Sequence, residues 1–224
     1  MNKIALCLSG QIRTFDKCFP SLKKHILDIV DCDVFAHFCY NNDVSNSNLS
    51  VIDFVDIIIE KDIKLDNKEY ASRMGPGLTP QYVQQILQQF LSITKCNNIK
   101  SRHEEINGFK YDWVIRARTD ALFKCDISPI SFQGTKKDIL QLDNGCVYIP
   151  SFACYGGYND RFAFGNSKNM DTYASLSSHV DDYFDNGRPF HPESLLKSHL
   201  DNEITVVNIE FPFDILRENG AFGG

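Results

Sequence analysis

Charged side chains alternate with apolar ones at the end of the stretch "YDWVIRARTDALF". Alternate residues of a β-strand share one face, so Arg116, Arg118 and Asp120 would lie together on one side of a strand. Charge on a core strand is costly unless it is paired. Two interpretations are open: Arg116 belongs to an internal ion-pair network, or the strand carries its charges to a ligand crevice.

The second interpretation specifies a chemistry. A carboxylate at a strand end, as Asp120 would be, can bind Mg²⁺ or Mn²⁺ together with water and substrate phosphates. Flanking arginines would offset the charge of a diphosphate leaving group. The combination favours transfer of a group from a nucleotide-activated donor.

The turn "LSGQIRTF" follows the first apolar run and is a second candidate. Gly10 would let the backbone approach a ligand at the carboxyl end of a strand, where Ser9, Arg13 and Thr14 could donate to a phosphate. The alternative is an ordinary turn with an exposed arginine. No GxGxxG or GxxxxGK[ST] motif is present, which disfavours a Rossmann-type oxidoreductase and a P-loop protein.

Two carboxylates in the second half are candidate general bases for an acceptor hydroxyl. Asp160 follows two glycines in "GGYNDRFAFG", although it could instead pair with Arg161 or cap a turn. Glu193 in "RPFHPESLLKSHL" is the second candidate, although an acid in the first turn of a helix is also favoured by the helix dipole alone.

Two weaker features lie near the middle of the chain. The loop "SRMGPGLTP" could close over a donor and bring Arg73 to its diphosphate, or it could be a plain connection. The helix that follows has a glutamine-rich face, which we expect to be solvated. Its members are Gln81, Gln84, Gln85 and Gln88.

Hydrophobic periodicity places these residues on alternating strands and helices, which predicts an α/β domain with a largely parallel sheet. Thr79 as N-cap and Pro80 at the first helical position mark the start of the central helix. The other predicted strands span residues 3–9, 32–40, 55–60 and 112–118, with three more in "ILQLDNGCVYIP", "DRFAFG" and "ITVVNIEF", and the other helices span residues 16–30, 169–179 and 192–200.

Composition excludes several classes. A net charge of -6 disfavours nucleic acid as the main partner. The eight cysteines show no zinc-site spacing, so we expect mostly buried free thiols, a reducing compartment and a cytoplasmic location. The apolar run after Met1 is too short for a signal or a membrane span, and we expect no membrane span elsewhere.

Several stretches together resemble a family of GT-A-type glycosyltransferase domains found in large DNA viruses, including algal ones, and in bacterial polysaccharide clusters. They are "IALCLSGQIRTF", "YDWVIRARTDALF", "YNDRFAFGNSKNMDTY" and "HPESLLKSHL", and they span nearly the whole chain in the same order. The resemblance implies a single GT-A-like domain with a mixed, mostly parallel sheet. Its nucleotide-binding part would cover about residues 1–125 and its acceptor side about 126–224, and a viral member would act in the host cytoplasm.

The resemblance also implies roles for the candidate residues. "RTD" occupies the place of the DXD metal motif, with Asp120 as ligand of Mn²⁺ or Mg²⁺ and Arg118 where the first aspartate would be. Ser9, Gly10 and Arg13 match the nucleotide side. The expected reaction moves a sugar from a nucleotide diphosphate sugar, UDP-linked, to a glycan acceptor, with inversion favoured because two candidate bases are available. Retention of configuration, which requires no such base, is the open alternative.

The departure at Arg118 supports an alternative. A non-catalytic module with the same fold would bind a nucleotide sugar or glycan without turnover. The glycine-rich ending "ENGAFGG" is also what a domain excised from a longer protein would show.

Overall fold

A computed structural model describes residues 2–40, 49–65, 70, 79–132 and 134–223 of the protein. The strands are β1 (Ile4–Gln11), β2 (Asp33–Tyr40), β3 (Phe54–Lys61), β4 (Trp113–Arg118), β5 (Ala121–Phe123), β6 (Ile130–Phe132), β7 (Thr135–Lys137), β8 (Cys146–Pro150), β9 (Phe162–Gly165), β10 (Thr205–Ile209), β11 (Phe213–Leu216) and β12 (Phe222–Gly223). The helices are α1 (Phe15–Leu22), α2 (Pro80–Asn107), α3 (Ser167–Ala174), α4 (Val180–Asp185) and α5 (Pro192–Leu200). A π-helical turn spans Lys23–Leu27, and 3-10 turns span Leu49–Val51, Ile139–Gln141 and Ser175–Ser178.

Seven strands form one mixed sheet in the order β10-β8-β9-β4-β1-β2-β3. The pairs β3–β2, β2–β1 and β1–β4 are parallel, and so is the pair β8–β10. Strand β9 is antiparallel to both of its neighbours, β4 and β8. One face packs against α1 and the other against α2, α3 and α5. The predicted α/β class, with a mixed, mostly parallel sheet flanked by helices, is confirmed.

The order of the strands reverses beside β1. The chain proceeds from β1 through β2 to β3 at one edge, and β4 then pairs with the opposite side of β1. In open α/β sheets, a ligand crevice forms outside the carboxyl ends of the strands at such a reversal. The topology therefore predicts a ligand crevice at the ends of β1 and β4, which are Gln11 and Arg118.

The alternation predicted for β4 is confirmed. Ile115 and Ala117 belong to the core on the α1 side, whereas Val114 packs into the core under α2. Arg116 shares the face of Val114 and is also buried. All eight cysteines are free and five of them are buried, as their spacing predicted.

Helix α2 begins where its capping signals indicate. The Thr79 side chain accepts a hydrogen bond from the backbone N–H of Tyr82 at 3.2 Å, and Pro80 occupies the first turn. Buried residues at helical spacing, Val83, Ile86 and Phe90 among them, fix its inner face. In the part of the chain that the structure describes, no helix is both long enough and apolar enough to cross a bilayer.

The glutamine face of α2 differs from its prediction. The Gln84 amide donates to the carbonyl of Ile63 at 2.6 Å, and the Gln88 amide donates to Asp62 at 2.5 Å. Both side chains are half-buried, whereas Gln81 and Gln85 are exposed. The expectation of a wholly solvated face is therefore wrong, because the segment after β3 folds back over the helix.

The helix predicted over residues 16–30 is interrupted. Regular α1 ends at Leu22, and the π-helical turn that follows widens the backbone. Leu22 and Ile26 are buried as predicted, but Ile29 is 39% exposed. The extra residue in the turn rotates Ile29 away from the face that an uninterrupted α-helix would bury.

A small sheet in the order β12-β11-β5 closes one side of the crevice. The backbone N–H of Leu216 donates to the carbonyl of Asp120 at 2.9 Å, and the Thr14 hydroxyl donates to the carbonyl of Leu216 at 3.1 Å. These contacts bring the end of β11 against the ends of β1 and β4. The second contact occupies the Thr14 hydroxyl, which the sequence predicted as a hydrogen-bond donor to a phosphate.

Candidate active site

A cavity of about 230 Å³ opens at the carboxyl ends of β1 and β4. It lies at the reversal of strand order, where the topology predicts a ligand. Its described walls are rich in guanidinium groups and also contain the carboxylates of Asp160 and Glu193. The arginines are Arg13, Arg116, Arg118, Arg161 and Arg217.

Asp120 is fully engaged by arginines. Arg118 binds it in a bidentate manner, with Nε donating to Oδ1 at 2.7 Å and Nη2 donating to Oδ2 at 2.8 Å. Arg13 Nη2 adds a longer contact to Oδ2 at 3.3 Å. Burial alone would raise the pKa of the Asp120 carboxyl, but the charge and hydrogen bonds of Arg118, helped by Arg13, hold it well below its usual range.

Arg116 is buried one step deeper on the same face. Its Nη1 donates to the backbone carbonyl of Asp160 at 2.6 Å, so its partner is not the distant carboxylate that an internal ion pair would require. Burial lowers the pKa of Arg116. Its Nε has no hydrogen-bond partner among the described residues, although it is shielded from solvent.

The turn after β1 contributes backbone and hydroxyl groups to the same wall. Gly10 has φ +136°, a conformation that favours glycine, and an added Cβ would lie 3.3 Å from Thr119 Oγ1. The Ser9 hydroxyl is buried beside it and has no described partner. Ser9, Gly10 and Arg13 are thus brought together with Arg116 and Arg118 around one cavity. Arg73 lies outside the described residues.

Asp160 and Glu193 also line the cavity, from the segment before β9 and from α5. Asp160 Oδ2 accepts a hydrogen bond from Gln89 Nε2, and Arg161 Nε lies 3.9 Å from Oδ1. Glu193 sits in the first turn of α5, with Oε2 2.8 Å from Nδ1 of His191. Burial, with the negative charge of Asp160, raises the pKa of Glu193 to about 7.

A glycine contact fixes Glu193 in this position. Gly157 packs so closely on the start of α5 that an added Cβ would lie 1.9 Å from the Glu193 carbonyl oxygen. The next residue, Tyr158, donates its backbone N–H to that oxygen at 3.1 Å. The buried Asn159 side chain holds the loop from inside by donating to the carbonyl of Phe152 at 2.8 Å.

Three contributors were missed by sequence reasoning as site residues. Gln89 links the two sides, since its oxygen accepts from Arg118 Nη1 at 2.7 Å and its nitrogen donates to Asp160. It continues the polar face of α2 one helical turn after Gln85, which was the available signal. Arg217, just after β11, and Arg161 had no pattern that would place them at the ends of β1 and β4.

The site carries an excess of positive charge. Five arginines line the cavity, against Asp160 and Glu193 in its wall and Asp120 behind it. Burial and the neighbouring charge of Arg118 lower the pKa of Arg217, which shows how closely the cations are gathered. In a protein of net charge -6, this is a local site for an anion.

The hydrogen bonds that Asp120 accepts from arginines disfavour binding of the metal ion that the sequence predicted there. Both carboxylate oxygens accept from guanidinium groups, which a bound cation would have to displace. Among the described residues, the only cluster of three potential metal ligands is His37, Cys39 and Glu60. In that cluster Lys95 binds Glu60, so its carboxylate also has a cationic partner already. Mn²⁺ or Mg²⁺ at Asp120 therefore stays a prediction of the resemblance.

Comparison with known proteins identifies the family without assigning an activity. A search of the curated proteins finds no match. One family model matches residues 1–221 and so covers every part of the site. On this match, the chain belongs to the family described as Domain of unknown function (DUF7796).

Proposed function

We propose that the protein transfers a sugar from a nucleotide diphosphate sugar, UDP-linked, to an acceptor hydroxyl of a glycan. The observation that carries this proposal is the arginine-lined cavity at the strand-order reversal, which faces two buried carboxylates. One wall is suited to an anionic leaving group and the other to the removal of a proton. Sugar transfer with inversion needs both functions within one small cavity.

The arginine wall supports the donor role. Arg13, Arg116 and Arg118 would bind the diphosphate and offset the charge that develops as its bond to the sugar breaks. Ser9 Oγ and Arg116 Nε are buried donors without a described acceptor, and phosphate oxygens would satisfy them. No step in this scheme uses a metal ion.

The carboxylate wall supports the acceptor role. The acceptor oxygen would attack the anomeric carbon as the bond from that carbon to the diphosphate oxygen breaks, and the hydroxyl proton would pass to Glu193. With its pKa at about 7, Glu193 has the basicity that suits a general base near neutral pH. Asp160, held by Gln89, would keep Glu193 basic through its own negative charge.

A specific observation favours a second candidate, the non-catalytic binding module. Asp120 is already occupied by Arg118 and Arg13, so the one acidic residue at the position of the metal motif is unavailable in this arrangement. A module that only binds a nucleotide sugar needs the arginine wall but not a basic Glu193. The two candidates therefore differ in whether Glu193 matters.

The test measures release of nucleoside diphosphate from a panel of nucleotide sugars, with and without glycan acceptors. We expect Glu193→Gln to slow release to acceptor by about 10²–10⁴-fold, the usual contribution of a general base. Wild-type activity should fall as the pH drops below about 7, since the base must be ionised. Glu105→Gln, at an exposed position of α2, is the matched control and should leave the rate unchanged.

Each alternative outcome has a clear meaning. Nucleotide-sugar binding without release for any donor and acceptor would establish the binding module. Full activity in Glu193→Gln would refute the assignment of the base.

A further inference from the structure

We propose that the Arg118–Asp120 pair takes the place of a divalent cation, so that the site binds the donor diphosphate without a metal ion. The identity of the donor rests on the proposed function. The inference itself concerns how this chain neutralises a diphosphate, and it departs from what the DXD-like position of Asp120 implies.

The Asp120 carboxylate is already occupied by arginines. Its two oxygens accept three contacts from two arginines, and its side chain is 3% exposed. A cation placed on this carboxylate would lie beside the guanidinium groups of Arg118 and Arg13 and be repelled by them. Asp120 therefore acts as the anchor of Arg118 and not as a ligand.

Arg118 keeps hydrogen-bond donors free after it has bound Asp120. A guanidinium has five N–H groups. Asp120 takes one from Nε and one from Nη2, and Gln89 takes one from Nη1. One N–H on each terminal nitrogen remains, on a side chain that lines the cavity. The bidentate anchor thus holds Arg118 in a fixed orientation with donors left for phosphate oxygens.

Several buried donors around the cavity lack acceptors among the described residues. Ser9 Oγ, Arg116 Nε and Arg161 Nη1 all belong to residues that line the same cavity. A buried donor without a partner is destabilising, so these three groups favour an anionic ligand over a lone cation. A ligand with several anionic oxygens would satisfy them.

The experiment measures UDP binding to the wild-type protein by calorimetry, once with EDTA and once with Mn²⁺. We expect Mn²⁺ to tighten the dissociation constant by less than about tenfold, which is a small difference in binding free energy. A tightening of tenfold or more would overturn the inference while leaving the proposed donor intact. Failure of UDP to bind in either buffer would overturn the UDP-linked donor, and if CDP, GDP and ADP also failed, both the nucleotide donor and the inference would be overturned.

An isosteric substitution separates the two models by its dependence on Mn²⁺. If Asp120 anchors Arg118, Asp120→Asn should change the dissociation constant of UDP by the same factor in EDTA and in Mn²⁺, because no bound metal ion is lost. If Asp120 binds a metal, the same change should weaken binding in Mn²⁺ by roughly tenfold or more and leave binding in EDTA unchanged. Asp214→Asn is the control, because it breaks a different ion pair, in which Lys124 Nζ lies 2.7 Å from Asp214 Oδ2. It should leave the dissociation constant of UDP unchanged in both buffers.

Discussion

Asp120, which lies behind the cavity, and Glu193, which lines it, are equally buried carboxylates with opposite properties. The side chain of Asp120 is 3% exposed and that of Glu193 is 4% exposed, yet the pKa of Asp120 is held well below its usual range and that of Glu193 is raised to about 7. Burial pushes both values upward. Asp120 meets two guanidinium groups, whereas Glu193 meets the negative charge of Asp160.

This difference in pKa suits the two carboxylates to different roles in the site. A carboxylate that stays ionised beside arginines fixes their position and cannot easily take up a proton. A carboxylate whose charge is disfavoured takes up a proton near neutral pH and is suited to acid–base work. The partners, and not the degree of burial, decide which role each residue can have.

The largest expected effect on stability comes from breaking the ion pair between Arg118 and Asp120. Arg118→Met would leave the Asp120 charge buried with only the longer contact to Arg13, and we expect a loss of about 3 kcal/mol in the free energy of unfolding. Lys124→Met removes one partner of a largely exposed pair and should cost at most about 1 kcal/mol. Urea denaturation without ligand measures both.

A second substitution sharpens this prediction. Asp120→Asn added to Arg118→Met removes the unpaired buried charge, so the double variant should recover part of the lost stability. Equal losses in Arg118→Met and Lys124→Met would show that the buried pair contributes no more than an exposed one.

The acceptor wall depends on backbone packing. Gly157→Ala would force a methyl group against the Glu193 carbonyl, and we expect a loss of about 1–3 kcal/mol, as for other overpacked sites. The start of α5 should also move, which would weaken the coupling of Glu193 to Asp160 and shift the acidic limb of the activity profile to lower pH. Gly156→Ala has no such clash, only the strain of φ +82°, and should keep the wild-type profile.

The comparison also shows what the sequence could predict. Alternation in "YDWVIRARTDALF" correctly placed Arg116 and Arg118 on one side of β4, where both line the cavity, and Thr79 and Pro80 correctly marked the start of α2. Local patterns sufficed there because period, capping and strand ends are properties of neighbouring residues. The same spacing also places Arg118 two residues from Asp120 and beside it, so the ion pair was open to prediction from the alternation itself.

Long-range partners could not be predicted in the same way. Arg217 reaches the cavity through the pairing of β11 with β5, and Gln89 bridges Arg118 and Asp160 through the packing of α2 on the sheet. The pKa of Glu193 is raised by burial and by the charge of Asp160, which belongs to a different segment of the chain. Each of these features requires contact between segments that are distant in the sequence, so the local hydrophobic periodicity could not predict it.

The smallest effect gives the sharpest contrast between the walls, because two isosteric substitutions should change stability in opposite directions. The folded-state pKa of Glu193 is raised, so its contribution to stability is present below the ordinary carboxyl pKa and is lost as the pH rises through about 7. At pH 8 the ionised, buried Glu193 is a cost, and Glu193→Gln should stabilise the fold by about 1 kcal/mol, a typical gain when a strained functional group is removed. At pH 5 the gain should vanish.

Asp120 has the opposite sign, because its lowered pKa stabilises the fold above the ordinary carboxyl pKa and that contribution is lost only as the pH falls through its low folded value. Asp120→Asn should therefore be destabilising at both pH 5 and pH 8. Thermal unfolding of the two variants and the wild type at both pH values measures the contrast. If Glu193→Gln were destabilising at pH 8 as well, the pKa of Glu193 would not be raised, and the distinction between an anchoring and a proton-accepting carboxylate would fail.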